Sequence, residues 1–263
     1  MSSTPARLLS LGTLALGFSS LSWPAAADPA ARSEMMGVRL GMSLAEARSA
    51  LAARKPAFTD PPFAQEEAVF GLAGAKFVPT LVMGTSSPDR EYGPYDRVNV
   101  QFSPPPAPSR AVAVDHSARY GNDGPTSANL IASLKTKYGA PATSSISDGK
   151  MGPGGGTFTW AWNKQGAPLT GRSAEECHLA WANVSGGSKA PAPTVEILKP
   201  FKNCGTIASA QFQESKPGVV GRLTTVVVDL AAMREAAEKA VEAIAKVKNA
   251  EIPAANKNRK PEL

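Results

Sequence analysis

The chain has 263 residues, with 28 Lys and Arg against 22 Asp and Glu and a formal net charge of +6. Its 43% share of hydrophobic residues is too high for an intrinsically disordered chain, and the position of its longest apolar run, at the N-terminus, argues against a polytopic membrane protein. The basic residues form no arginine-rich or basic-aromatic segment, so a nucleic-acid partner is not predicted. The length is that of one large domain or two small ones, and we expect a soluble globular protein.

Residues 1–27 have the pattern of a secretory signal peptide. Arg7 precedes an apolar stretch at 8–21, which is shorter than the roughly 20 residues that a membrane-spanning helix needs. The alanines at 25–27 supply small residues at the positions that signal peptidase recognises. We therefore predict cleavage before Asp28 and a mature protein that is periplasmic or secreted, without a stable membrane anchor.

Cys177 and Cys204 are the only cysteines, and both lie in the predicted mature chain. An oxidising compartment pairs such thiols. A redox-active pair would be expected in C-x-x-C spacing, and a zinc site would need further Cys or His residues at ligand spacing, and neither pattern is present. The sequence therefore predicts one structural disulfide and no metal site.

Residues 28–121 are predicted to form a first unit of one helix and several strands. Ser43 and Glu46 form a capping box, so the helix should begin at Leu44, and Pro56 should stop it. Strands are predicted at 75–84, 97–104 and 110–120. In the second of these strands the alternation directs Val98, Val100 and Phe102 inward and Asn99, Gln101 and Ser103 outward.

Residues 122–230 are predicted to repeat this order as a second unit, which contains the disulfide. Thr126 is the expected N-cap of its helix, and Gly139 followed by Pro141 should end that helix. A helix followed by antiparallel strands, occurring twice, predicts an α+β fold in which two helix-plus-antiparallel-sheet units form a meandering sheet. The strands expected in the second unit are 142–147, 157–163, 177–185, 193–199, 206–213 and 222–230.

Residues 231–248 are predicted to form a long amphipathic C-terminal helix, and residues 249–263 a disordered tail. Glu235 with Lys239 and Glu242 with Lys246 have the i, i+4 spacing of favourable ion pairs. The apolar stripe consists of Leu230, Met233, Ala237, Ala240, Ile244 and Val247.

The sequence offers little catalytic chemistry. It contains no G-x-S-x-G, no H-E-x-x-H and no Walker loop, and its two histidines are His116 and His178. We expect His116 at the edge of the core and His178, next to Cys177, on the other side of the strand predicted there. The glycine run at 152–156 precedes a predicted strand rather than a helix, which favours a hairpin loop over a phosphate site. No cofactor is predicted, and an enzymatic activity stays uncertain.

One aromatic cluster has two interpretations. Phe158, Trp160 and Trp162 lie on one face of a predicted strand, and Trp181 lies on a strand nearby, beside Cys177. These side chains either form core beneath the helices or the disulfide, or they face solvent and anchor a protein partner. Until the fold is known they are the candidate partner-binding residues.

The stretch Val38-Arg39-Leu40-Gly41-Met42-Ser43-Leu44-Ala45-Glu46-Ala47, with Leu51 one turn later, resembles the start of a repeat found in a group of periplasmic proteins. This is the SmpA/OmlA and β-lactamase-inhibitor-like (BLIP-like) group. Residues 134–141 are similar to the end of the corresponding helix in a second repeat. The resemblance implies a capped helix packed on a short antiparallel sheet, and a non-catalytic module that binds protein on the open face of that sheet.

Three classes of function therefore stay open. The first is a protein-binding module whose partner is another periplasmic or envelope protein. The second is a periplasmic enzyme acting on a cell-envelope polymer, in which His116 or His178 would meet carboxylates in a cleft. The third is an envelope assembly factor that docks its C-terminal helix onto a partner.

Overall fold

The computed structural model describes residues 29–54, 64–69, 76–85, 94–147, 154–185 and 202–256. The predicted signal peptide, the strand expected at 193–199 and residues 257–263 lie outside the described residues. The helices of the described residues are α1 (Pro29–Arg32), α2 (Leu44–Ala53), α3 (Ser127–Tyr138), α4 (Gly171–Ser185) and α5 (Leu230–Asn256). Their strands are β1 (Glu34–Met35), β2 (Val38–Arg39), β3 (Ala64–Val69), β4 (Lys76–Thr85), β5 (Tyr95–Phe102), β6 (Ala111–Arg119), β7 (Thr143–Ser147), β8 (Gly155–Asn163), β9 (Pro168–Leu169), β10 (Cys204–Lys216) and β11 (Val219–Asp229).

One antiparallel sheet contains every described strand except the β1–β2 hairpin. Its strand order is β3-β4-β5-β6-β11-β10-β8-β7, and β9 pairs with β8. Along the chain, α2 leads into β3 to β6, and α3 leads into β7 to β9, then α4, and then β10 and β11. The last strands of the two series, β6 and β11, pair with each other, with Val114 opposite Val227. The fold is therefore the predicted α+β architecture, with two helix-plus-sheet units in one sheet and a C-terminal helix after them.

Local signals set the ends of α2 and α3. The amide of Glu46 donates to the Ser43 hydroxyl over 3.3 Å, and the Ser43 amide donates to the Glu46 carboxylate over 2.7 Å. This capping box satisfies amides that the first helical turn leaves without partners, and α2 begins at Leu44 as predicted. At the start of α3 the Thr126 hydroxyl accepts from the Asn129 amide over 3.2 Å, and Gly139 follows the helix with φ of 82°.

The first face of the sheet packs against α2 and α3. Val98, Val100 and Phe102 alternate onto this face and are buried with Leu51 of α2 and Leu134 of α3, which confirms the predicted inward side of β5. The outward assignment of Ser103 is wrong, because this residue is also buried. It lies just after β5, where its hydroxyl donates to the Pro108 carbonyl over 2.6 Å and accepts from the Arg110 amide over 2.9 Å. The serine thereby closes the connection to β6.

The second face packs against α4 and the first part of α5, over one end of the strands only. The residues shared in this smaller core are Ala174, Cys177, Ala180 and Trp181 of α4, Leu230 and Met233 of α5, and Val112, Ala113, Ala161, Cys204, Ile207, Val226 and Val228 of the sheet. The strand predicted at 177–185 is therefore wrong, because these residues belong to a helix. Short apolar runs fit both periods, and the buried positions here recur every three or four residues, which is the helical repeat.

The C-terminal helix exists as predicted but is longer. It continues through 249–256, which the sequence assigned to the disordered tail. The ion pairs expected on its solvent side form, with Lys239 2.6 Å from Glu235 and Lys246 2.7 Å from Glu242.

Candidate functional site

The aromatic stripe of β8 belongs to the first core. Phe158, Trp160 and Trp162 are only 3%, 2% and 5% exposed. The ring of Tyr138 lies 5.0 Å from that of Trp160, and the Trp160 indole N–H donates to the Gly139 carbonyl over 3.0 Å. The pair formed by α3 and β8 is thus held by both ring packing and a hydrogen bond.

The burial of these tryptophans argues against a partner-binding role for them. Phe158, Trp160 and Trp162 are covered by the elements packed on the first face, and Trp181 is buried in α4 on the second face. A side chain that is enclosed in the core offers no surface to a partner. The interpretation of the cluster as core, left open by the sequence, agrees with the structure.

The disulfide joins α4 to the sheet. Cys177 of α4 and Cys204 at the start of β10 are bonded, with 5.6 Å between their Cα atoms. Both are buried, and no free cysteine occurs among the described residues. The bond lies in the core beneath α4, which is the position of a structural cross-link rather than of an exposed reactive thiol.

A buried polar cluster lies between α2 and the first face of the sheet. His116 of β6 and Asp96 of β5 are 2% and 6% exposed, and His116 Nε2 lies 2.9 Å from Asp96 Oδ1. Arg54, the C-cap of α2, forms an ion pair with the other oxygen of Asp96. Burial by itself raises the pKa of Asp96, but the hydrogen bond and charge of His116, together with Arg54, outweigh burial and hold that pKa below its usual value.

This cluster has one feature of a catalytic pair and lacks another. A histidine hydrogen-bonded to a carboxylate is the arrangement that orients a general base. However, His116 Nδ1 is buried and has no hydrogen-bond partner among the described residues. A cavity of about 160 Å³ lies elsewhere, beside the disulfide. The cavity is lined by Leu169, Ser173, Glu176, Cys177, Lys202, Asn203 and Cys204, and contains no histidine.

His178 is not in a strand as expected but in α4. It is half-buried, and burial lowers the pKa of its ring. It does not join a group of carboxylates or cysteines, and the described residues contain no cluster of three or more His, Cys, Asp or Glu side chains that could hold a metal ion. The structure thus does not bring the two histidines together.

The second face of the sheet is open where α4 and α5 do not reach. Directly opposite residues of antiparallel strands project from the same face, so the pairing registers define rows of side chains across the sheet. Two neighbouring rows on this face, which we call the open rows, are polar and partly or fully exposed. The outer row consists of Tyr95, Arg119, Arg222, Gln213 and Ser147, and the inner row of Arg97, Ser117, Thr224, Gln211, Thr157 and Ser145.

The open rows form a broad hydrogen-bonding surface on rigid elements. They cross six strands, from β5 to β7, which at a strand spacing of about 4.8 Å spans about 24 Å. Hydroxyl, amide and guanidinium groups provide both donors and acceptors. Behind them, Leu223 and Phe212 of the same strands are buried in the first core. The surface is therefore backed by packed side chains and presents its polar groups at fixed spacing.

The charge on the open rows has a single sign. Arg97, Arg119 and Arg222 are their only charged members. The row of side chains next to the inner row contains a carboxylate, Asp115, which lies opposite Asn99. The side-chain amide of Asn99 donates a hydrogen bond to Asp115 over 2.8 Å. Burial raises the pKa of Asp115, against smaller opposing effects of Asn99 and Arg97. The open rows are consequently a positively charged surface bordered by a half-buried acid.

Sequence reasoning missed the open rows as a site. The alternation along β5 and β11 does direct Arg97 and Arg222 away from the first core, so their exposure was predictable. The sequence did not predict that these arginines lie side by side, because that depends on the pairing of β6 with β11, which are more than 100 residues apart in the chain.

No protein-family model, no curated protein and no solved structure matches the chain. None of the helices in the described part of the chain has the length and apolar character needed to cross a lipid bilayer.

Proposed function

We propose that the protein is an exported, non-catalytic protein-binding module that holds its partner on the open rows. The observation that carries this proposal is the divided second face, which is apolar and covered at one end and polar and uncovered at the other. A well-ordered sheet lets exposed groups bind without a large loss of side-chain and loop entropy, because the backbone is already fixed. The partner we expect is another periplasmic or envelope protein.

The resemblance to the SmpA/OmlA and BLIP-like group supports the same proposal. It implies a capped helix packed on an antiparallel sheet, present twice, with protein bound on the open sheet face. Two features support that expectation here: the capping box of α2, and the two series in which a helix precedes antiparallel strands, the second of them interrupted by α4. The surface we propose differs from the sequence-based candidate, since it is formed by polar rows rather than by the tryptophans.

The two alternative functions have less support. An enzyme acting on an envelope polymer would need His116 and Asp96 in an open cleft, and both are enclosed by the first core. An assembly factor that docks α5 onto a partner would need a free helix, and α5 buries Leu230, Met233 and Ala240. The burial of His116 and Asp96 and the packing of α5 on its own sheet therefore favour the binding module over both alternatives.

Export is the second part of the proposal. The signal-peptide pattern of residues 1–27 supports it, and the disulfide is typical of an oxidising compartment. We expect the protein isolated from the periplasm or culture medium to begin at Asp28 and to resist alkylation until it is reduced. Intact-mass measurement with and without reductant tests this, and a mass that includes residues 1–27, or alkylation of the unreduced protein, would contradict it.

Binding on the open rows can be tested with two matched substitutions. Thr224 is an exposed member of the inner row, and Thr136 is an exposed residue of α3 on the other side of the sheet. We expect Thr224→Trp to reduce capture of the partner about tenfold, which corresponds to about 1.4 kcal/mol of binding, because a bulky side chain in the middle of the interface prevents close contact. Thr136→Trp should leave capture unchanged.

The measurement is affinity capture from the periplasm of the source cells, with identification of the bound protein by mass spectrometry and titration of the purified pair. Circular dichroism should show the same melting temperature for both variants. If both variants bind like the wild type, the open rows are not the docking surface. If no specific protein is captured by the wild type, the binding-module proposal itself is wrong.

A further inference from the structure

We infer that the partner's contact surface is acidic, and that its carboxylates bind among Arg97, Arg119 and Arg222. This inference rests on the proposed function, because it names the chemistry of the surface that the open rows would hold. It goes beyond that proposal in assigning an anion-binding role to three particular side chains.

The strand registers bring the three arginines together. Arg119 of β6 lies directly opposite Arg222 of β11 on one side and opposite Tyr95 of β5 on the other. Arg97 lies two residues beyond Tyr95 and therefore diagonal to Arg119 on the same face. Cβ atoms of directly opposite residues are about 5 Å apart and diagonal neighbours about 7–8 Å apart. One carboxylate group can therefore contact two of these guanidinium groups at once.

A pair of like charges directly opposite each other is unfavourable in a sheet. Arg119 and Arg222 form such a pair, and Arg222 is exposed without an ion pair to any described residue. A bound carboxylate would give Arg222 charge-assisted hydrogen bonds, which guanidinium groups make in a bidentate geometry. The Arg119 guanidinium lies 5.3 Å from the centre of the Tyr95 ring, which limits the orientations it can take.

The composition of the open rows favours a protein as the source of the carboxylates. Lysines outnumber arginines in the chain, yet every charge on the open rows is an arginine. Arginine and tyrosine are enriched in protein interfaces and lysine is depleted there. A single-stranded nucleic acid would need several aromatic side chains for its bases to stack on, and Tyr95 is the one aromatic member of the open rows.

The test uses the mature wild-type protein and a fluorescently labelled oligo-glutamate peptide, with binding followed by anisotropy. We expect oligo-glutamate to bind, oligo-lysine not to bind, and the affinity to fall as salt is raised. Arg222→Gln should weaken binding about tenfold and Arg222→Glu further, since a hydrogen bond to a charged group is lost and then replaced by repulsion. Arg172→Glu is the matched control, because Arg172 is an exposed arginine of α4 outside the open rows.

Several results would overturn the inference. These are no binding of oligo-glutamate to the wild type, equal affinities for wild type and Arg222→Glu, or tighter binding of polygalacturonate than of oligo-glutamate, which would point to an acidic polysaccharide. A wild-type dimer in solution that Arg222→Glu dissociates would assign the surface to a second copy of the chain and also overturn it.

The same variants separate this inference from the proposed function. If the captured partner is lost by Thr224→Trp but kept by Arg222→Glu, the open rows bind a protein and the acidic contact is wrong. If Thr224→Trp also keeps the partner, the proposed docking surface fails and the inference fails with it.

Discussion

Replacing Trp160 with alanine is expected to lower the free energy of unfolding by about 3–5 kcal/mol, because a large side chain would be removed from a closely packed core. Trp160 is the largest fully buried side chain of the described residues, and it packs against Tyr138 and Phe158. The change also leaves the Gly139 carbonyl without the indole N–H. Urea unfolding followed by circular dichroism measures the effect.

Two controls make this prediction specific. Trp160→Phe keeps part of the ring packing and removes the hydrogen bond, so it should cost less than the alanine variant. Ile146→Ala on neighbouring β7 removes a side chain that is 63% exposed and should change stability by no more than about 0.5 kcal/mol. A Trp160→Ala protein that unfolds at the wild-type urea concentration would mean that this tryptophan is not core, and would restore the aromatic stripe as a binding face.

Replacing Asp96 with asparagine should destabilise the protein by about 3 kcal/mol at neutral pH, because the buried part of the Arg54 charge loses its counter-ion. The neutral amide can still hydrogen-bond but cannot balance a guanidinium group. Arg54 retains some contact with water, which places the expected cost at the lower end of the range for a broken buried pair. Asp123→Asn, at an exposed position after β6, is the matched control and should have little effect.

The pH dependence of the Asp96→Asn effect has a defined sign. The folded protein holds the pKa of Asp96 below its usual value, so the carboxylate stabilises the fold above the unfolded pKa of about 3.9. That contribution is lost as the pH falls through the folded pKa. The stability difference between wild type and Asp96→Asn should therefore shrink as the pH falls below about pH 4.

The quantity to measure at each pH is the difference in unfolding free energy between wild type and Asp96→Asn. The pH profile of the wild type alone also contains the effects of other carboxyls. Burial raises the pKa of Asp115 and of Asp229. Each of these two carboxyls changes the stability in the direction opposite to Asp96. As the pH falls through its raised pKa, protonation removes the cost of burying its charge, and the folded protein gains stability. Both residues are present in wild type and variant, so their effects cancel. A difference that stays constant down to acid unfolding would contradict the assigned role of Asp96.

The sequence by itself determined the features that depend on neighbours along the chain. The capping box of Ser43 and Glu46 fixes the start of α2, because both hydrogen bonds join residues three apart. The alternation in β5 predicted which of its side chains are buried, since a strand has a period of two whatever it pairs with. The sequence predicted the disulfide because Cys177 and Cys204 are the only two cysteines, so only one pairing is possible.

Only the tertiary structure decided the features that depend on residues far apart in the chain. Residues 177–185 form a helix because their apolar side chains at helical spacing pack on the second face, and the local sequence fits either period. The ion pair of Asp96 with Arg54 and the opposition of Arg119 and Arg222 follow from strand registers and helix placement, which no local pattern specifies. Trp160 and Trp162 are core because α2 and α3 cover one face of the sheet. The arginines are a candidate binding surface because α4 and α5 leave part of the other face uncovered.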